Sequence, residues 1–337
     1  MNALVCTTPH QFDYTVAPMP IAGEGETLLK IERIGICGTD LHAYEGTQPY
    51  FNYPRILGHE LAATIVETKA VGFSIGDVVT IIPYMHCGAC IACKIGKHNC
   101  CVNMQVFGVH IDGGMREFVT VPDTALVKSG GLSLDELALV EPLAIGAHAV
   151  KRANIAPNEF VLVMGAGPIG IGIAQFAKIA GAQVIMADVN GSRLDFCKNL
   201  LDINHTINPL IQNVVDACDL ITNNNMPTVV MDATGNLNAI NNAFAYLAHG
   251  GRYVLVGLQK EHISFSHPEF HKREATLMSS RNANTQDFNY VIECIQKGLV
   301  KPSSLVTHKV SFTEVTDHFE SWLNPATGVV KAMVVFE

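Results

Sequence analysis

The sequence predicts an α/β chain built from two domains, a small irregular β-barrel or sandwich followed by a doubly wound parallel sheet. Three observations carry that expectation. The chain has 337 residues, and at ~100–200 residues per domain that is two domains. The texture changes near residue 155, from short alternating runs to strands alternating with helices. A glycine-rich turn joins the first of those strands to the first of those helices.

The first ~150 residues are rich in Gly, Pro, Thr and Val, and their runs alternate as β structure requires. T-L-L-K-I-E-R-I (27–34), L-A-A-T-I-V-E-T (61–68), D-V-V-T-I-I (77–82) and R-E-F-V-T-V (116–121) read as strands. Turn signals at Gly23 to Gly25 and Gly113-Gly114 separate them. Beyond 155, F-V-L-V-M, V-I-M-A-D, V-V-M-D-A-T-G (229–235) and R-Y-V-L-V-G (252–257) read as buried strands. I-G-I-A-Q-F-A-K-I-A and S-R-L-D-F-C-K-N-L-L between them read as helices. Strands alternating with helices make parallel βαβ units. The expected domains are 1–150, rejoined by the tail 285–337, and 151–284.

Composition narrows the function. The chain is 48% hydrophobic with a net charge of -9. Such a chain can bury a full core, and it lacks the basic footprint of a nucleic-acid binder. No signal-like segment opens it. Phe160 to Ala177 runs 18 residues without a charge, close to the ~20 of a membrane span. Its four glycines and Pro168 favour a strand, a turn and a buried helix instead. Ten cysteines without a secretory signal read as thiols, some holding metal, in a reducing cytoplasm.

G-A-G-P-I-G spans Gly165, Gly167, Pro168, Ile169 and Gly170, after a predicted strand and at the head of a predicted helix. Asp188 follows 18 residues later. This is the context of a dinucleotide-binding Rossmann unit. Gly165 permits the turn, Gly167 lets backbone N–H groups approach a pyrophosphate, and Gly170 allows helix and strand to touch. Asp188 is placed to bind ribose hydroxyls and would repel a 2′-phosphate, so NAD is expected over NADP. Arg193 lies close behind and pulls the other way. Gly257, ending a predicted strand, joins the candidate cofactor residues.

Five of the ten cysteines fall between Cys87 and Cys101. Cys87, Cys90, Cys93 and Cys101 form C-x2-C-x2-C-x7-C, with Cys100 a competitor for the last place. Four thiolates close a tetrahedron around a structural zinc. An iron–sulfur cluster is the alternative, but the x3-C-P continuation is absent. Cys6, Cys197, Cys218 and Cys294 stand isolated and read as core or surface thiols.

I-C-G-T-D-L-H (36–42), L-G-H-E (57–60) and V-E-P-L-A (140–144) complete the set of chemistry-bearing motifs. None is specific alone. Taken in order with the cysteine lobe and the glycine turn, they resemble the zinc-dependent medium-chain alcohol dehydrogenases along essentially the whole chain. That resemblance implies a GroES-like catalytic domain around a Rossmann domain, two zinc ions per chain, NAD, and a homodimer or homotetramer. It selects Cys101 as the fourth lobe ligand. It implies Cys37, His59 and Glu141 as catalytic zinc ligands, with Glu60 adjacent or exchanging. Thr39 and His42 resemble the family's proton-relay positions, although turn capping or a surface role also suits them. Arg281 lies where the family often touches NAD.

Zinc with an open position would stabilise an alkoxide, from which hydride passes to nicotinamide. The expected substrate is a small alcohol or a sugar acid. Segments 45–60 and 268–283 resemble those of a sugar-acid oxidising branch, and Arg55, Arg116, Lys272, Arg273 and Arg281 are cations available to a carboxylate. A polyol or L-threonine dehydrogenase is the nearest alternative. A non-catalytic dinucleotide-binding redox sensor would not need intact zinc ligands, and a zinc-free reductase would not need the cysteine lobe.

Overall fold

The computed structural model describes residues 1–49 and 51–337. Tyr50, inside the 45–60 segment, lies outside the described residues. The chain divides into two compact units, 1–144 with 282–337, and 145–281. The first break falls within the helix Val140–Ala153.

In the first unit the long strand Glu26–Gly35 organises the sheet. It pairs antiparallel with Glu60–Glu67, Phe118–Pro122 and Lys331–Val335. Val78–Ile81 and Leu126–Lys128 extend one side. Val306–Ser311 extends the other, parallel to Lys331–Val335. The C-terminal tail is therefore part of this sheet. A three-stranded sheet of Asn2–Thr8, Gln11–Val16 and Arg55–Ile56 accompanies it. Alternation sends Leu29, Ile31, Leu61, Ile65, Val79, Ile81, Val119 and Val121 into one core, where each is fully buried or nearly so. Burying each such side chain contributes about 1.5–3 kcal/mol, so the sheet register is strongly specified.

The second unit is a six-stranded parallel sheet. Its strand order is His205–Ile207, Gln183–Ala187, Phe160–Met164, Val229–Asp232, Arg252–Leu255, Thr276–Ser279. Numbered within the unit this is 3-2-1-4-5-6, the doubly wound order that binds dinucleotides where the strand order reverses. That reversal lies between Phe160–Met164 and Val229–Asp232. Both strands are almost wholly buried, which explains their unbroken apolar runs. The uncharged run 160–177 is a strand, a turn and most of the helix Pro168–Ile179. Among the described residues no helix is long and apolar enough to cross a membrane.

Candidate metal centres and dinucleotide site

The four-cysteine lobe is a short excursion from the first unit. Cys90 precedes the single-turn helix Ile91–Lys94, Cys93 lies inside it, and Cys101 follows a further turn, His98–Cys100. The Sγ atoms of Cys87, Cys90, Cys93 and Cys101 all lie within 4.8 Å of one another. Cys90–Cys93 and Cys87–Cys101 are 3.5 Å apart, and Cys90–Cys101 is 3.9 Å. A disulfide would need about 2.05 Å. Tetrahedral zinc with Zn–S bonds of about 2.3 Å sets neighbouring sulfurs about 3.8 Å apart, so the donor set fits that ion. Backbone N–H groups of Ala89 and Cys90 pull the Cys87 thiol down to about 6, which favours the thiolate a metal needs. Cys100 is exposed and outside the set.

A second cluster forms where three strands meet. Cys37 precedes the helix Gly38–Tyr44, and Asp40 closes that helix start by accepting the Cys37 N–H at 2.9 Å. The other Asp40 oxygen accepts the N–H of Gly58 at 3.1 Å. Gly58 has φ +92 and turns the chain just before His59, a conformation that favours glycine. Asp40 is thus 1% exposed yet fully engaged, and it stands 3.7 Å from His59 Nδ1. Asp40 caps the helix start, and it also fixes the turn that carries His59.

Donor atoms of Cys37, His59 and Glu60 lie within 4.8 Å of one another. His59 is buried, and its Nδ1 has no hydrogen-bond partner among the described residues. Such an orphaned nitrogen beside a thiol and a carboxylate suits a metal ligand. Burial pulls the His59 imidazole down, but Asp40 and Cys37 outweigh it and hold its pKa well above the ordinary value. Glu60 begins the strand Glu60–Glu67, and both its oxygens accept from Lys331 Nζ at 2.7 Å. Glu141, in the first turn of Val140–Ala153, is buried but not one of the close set. Its carboxylate accepts the hydroxyl of buried Tyr84. Burial, with the nearby Glu60 charge, pushes Glu141 up to about 7 against the pull of His59.

Thr39 is half-buried in the first turn of Gly38–Tyr44. His42 is exposed at the other end, with Nδ1 3.3 Å from both Glu45 and Thr47. Sequence reasoning missed Asp40's second role, Tyr84 and Lys331. The D in C-G-T-D is the one local signal for any of them.

In the second unit, Gly165 has φ +96 and Gly167 caps the helix Pro168–Ile179. A side chain on Gly170 would strike the Gly165 carbonyl, whereas nothing lies within 4 Å of the Cβ position of Gly167. The turn is closed where helix meets strand and open at the helix N-terminus, as pyrophosphate binding requires. Asp188 follows the strand Gln183–Ala187. Its carboxylate accepts the N–H of Ala166 at 2.6 Å and of Asn190 at 2.7 Å. The candidate ribose acceptor is therefore also tied to the glycine turn. Ile169 is half-buried at the head of the helix. Arg193 lies in the first turn of Gly191–Leu201, half-buried. Gly257 donates its N–H to the carbonyl of Asp232 at 2.9 Å, and Arg281 is exposed.

The cations offered to a carboxylate substrate differ in their commitments. Arg273 donates to the Leu247 carbonyl and to Glu269, and Lys272 is 3.9 Å from Glu269. Arg116 donates to the carbonyls of Gly113 and Asp112. These contacts are within the fold. Arg55 pairs with Asp112 at 3.2 Å, but its buried Nε has no partner among the described residues.

The chain belongs to the zinc-type alcohol dehydrogenase family, oxidoreductases acting on CH–OH donors. Residues 23–131 match the alcohol dehydrogenase GroES-like domain, and residues 168–297 match the zinc-binding dehydrogenase domain. The chain is 41% identical to L-galactonate-5-dehydrogenase of Escherichia coli (strain K12), covering 100% of this chain and 99% of that one. It is 32% identical to sorbitol dehydrogenase of Bacillus subtilis (strain 168), covering 99% and 97%. Among solved structures, the alcohol dehydrogenase rspB from E. coli CFT073, complexed with cofactor NADH, superposes with a TM-score of 0.93 at 30% identity. That match covers 100% of this chain and 99% of the other.

Proposed function

We propose that this enzyme oxidises a secondary hydroxyl of a polyhydroxy acid, with L-galactonate as the first candidate, passing hydride to NAD. The observation that carries the reading is the convergence of Cys37, His59 and Glu60 in a chain 41% identical, end to end, to an L-galactonate-5-dehydrogenase. In this reading two zinc ions are held, one by the cysteine lobe and one by Cys37, His59 and a carboxylate. The second ion, when bound, supplies Lewis-acid stabilisation of the alkoxide.

The chain's own residues do the rest. Asp40 fixes the turn that presents His59 and the helix start that presents Cys37. Thr39 and His42 are proposed to carry the alcohol proton outward, and exposed His42 suits the outer end of that path. The N-terminus of Pro168–Ile179 and the open space over Gly167 receive the pyrophosphate. Asp188 keeps acceptor capacity for the ribose hydroxyls beyond its two backbone bonds, with Pro168, Gly257, Arg193 and Arg281 as further cofactor contacts.

Arg55 is the cation we assign to the substrate carboxylate, because it alone of the five carries a buried N–H without a partner among the described residues. The second reading is a neutral polyol substrate, which the likeness to a sorbitol dehydrogenase favours. Steady-state rates with NAD on L-galactonate, sorbitol and L-threonine separate them. L-galactonate should show the highest kcat/KM, and Arg55→Ala should raise KM for the acid far more than for the polyol. Equal efficiency on acid and polyol would replace the sugar-acid reading with the polyol one.

A further inference from the structure

A cavity of the first unit opens beside the cysteine lobe, with Cys87 on one wall. Its volume is about 220 Å³. A water takes up about 30 Å³ in the liquid, so the space suits a short carbon chain and is too small for a dinucleotide. His86, His98, Thr124 and Thr285 line it and are exposed, so they form its mouth. Tyr84, Asn99 and Ala283 line it and are buried, so they form its floor. The imidazoles of His86 and His98 stack with centroids 4.2 Å apart and planes 12° apart. Packing one ring on the other holds both edges in a fixed direction. Tyr84 belongs to the short strand Tyr84–Met85, which pairs with Gln105–Val106. Its hydroxyl is donated to Glu141, whose carboxyl group feels the charges of His59 and Glu60. One side chain therefore links the cavity floor to the candidate metal cluster.

We propose that this cavity is a binding subsite for a polyhydroxylated carbon chain. The proposal rests on the polyhydroxy-acid reading above and extends it from the carboxylate to the hydroxyls. The lining suits hydroxyls better than other chemistry. No Lys, Arg, Asp or Glu lines it among the described residues, so a full charge finds no partner there, and the substrate carboxylate is left to Arg55. Stacked rings set their nitrogens side by side instead of converging on one ion. Neither histidine belongs to a group of three or more metal donors among the described residues. A neutral imidazole offers one donor and one acceptor, and a threonine hydroxyl offers both. The hydroxyls of a polyol also donate and accept, so each can be matched. Met85 and Ala125 supply apolar surface for the C–H face of the chain. The tail of the substrate and a separate polyol share this chemistry, and the test tells them apart.

Two variants probe the mouth. His98→Phe keeps a stacked ring and removes both nitrogens, and Thr285→Val keeps the shape and removes the hydroxyl. In the first arm, kcat/KM with NAD is compared for L-galactonate and for 2-butanol, a secondary alcohol with no further hydroxyl. Each substitution should lower the value for L-galactonate roughly 2–10-fold, the weight of one hydrogen bond. The loss should fall on KM, and 2-butanol should be unaffected. That outcome identifies the chain as the substrate's own. In the second arm, sorbitol is titrated by calorimetry onto full-length Cys37→Ala, with and without the mouth substitutions. Unchanged kinetics together with sorbitol binding that the mouth substitutions abolish identifies a separate polyol. Unchanged kinetics with no cavity-dependent sorbitol binding would overturn the proposal, as would equal losses on both alcohols. If His98→Phe releases the lobe zinc, Thr285→Val decides alone, because it lies outside the lobe. Should the native enzyme oxidise 2-butanol and not L-galactonate, the sugar-acid reading falls, and the calorimetric arm still decides the cavity.

Discussion

Asp40 shows how much a single buried side chain carries here. Its two oxygens satisfy the N–H groups of Cys37 and Gly58, which belong to separate motifs. Asp40→Ala would leave both donors buried and unsatisfied, at about 1–3 kcal/mol each. We expect a clear drop in thermal midpoint together with weaker zinc retention, and a variant matching the native protein in both would contradict this role. The titratable groups around it make a second prediction, for zinc-stripped protein. Glu141 is raised to about 7 from an ordinary 4.5, so between those values the folded state binds more protons than the unfolded. His59, raised well above its usual value, acts in the same direction. Stability should therefore fall as pH rises through that window and beyond. Zinc, which requires deprotonated donors, should reverse the slope. Unfolding midpoints of stripped and loaded protein from pH 5 to 8 check this, and Glu141→Gln should flatten the stripped-protein curve between 5 and 7.

At the scale of elements, the glycine turn and the cysteine lobe are single local devices. Asp188→Ala removes the proposed ribose acceptor and also the carboxylate that receives the Ala166 N–H. Expected outcomes are weaker NADH binding and a smaller preference for NAD over NADP, read as a ratio of kcat/KM values. An unchanged ratio would mean that Arg193 or another cation governs the pocket. Both devices were legible in the sequence because their parts are neighbours in the chain. C-x2-C-x2-C can bring three thiolates to one point, and G-A-G-P-I-G constrains one strand–turn–helix junction. The Asp40–His59, Tyr84–Glu141 and Lys331–Glu60 pairings were not legible, because they depend on register and packing between distant segments. Lys331 lies in V-V-K-A-M-V-V-F, where nothing local distinguishes a buried lysine from a solvated one. Its partner becomes evident only when two strands are seen to flank Gly35. Two of the cations offered to a substrate carboxylate meet a local partner instead. Arg273 and Lys272 read as available cations, but their own helix supplies Glu269.

For the molecule as a whole, the two metal centres should be separable. Cys90→Ala should lower stability by leaving three thiolates with an incomplete shell, whereas Cys37→Ala should keep the fold, the lobe zinc and NADH binding. Elemental analysis should give close to two zinc ions per native chain and one in Cys37→Ala. Iron in the lobe would contradict its assignment. The central claim joins one of those centres to chemistry on a hydroxy acid. The most direct measurement is NADH formation from L-galactonate and NAD, comparing native protein with Cys37→Ala that retains its lobe zinc. The native enzyme should turn over, and the variant should show only background. Comparable rates in the two proteins, or no oxidation of any secondary alcohol by the native enzyme carrying both zinc ions, would contradict it.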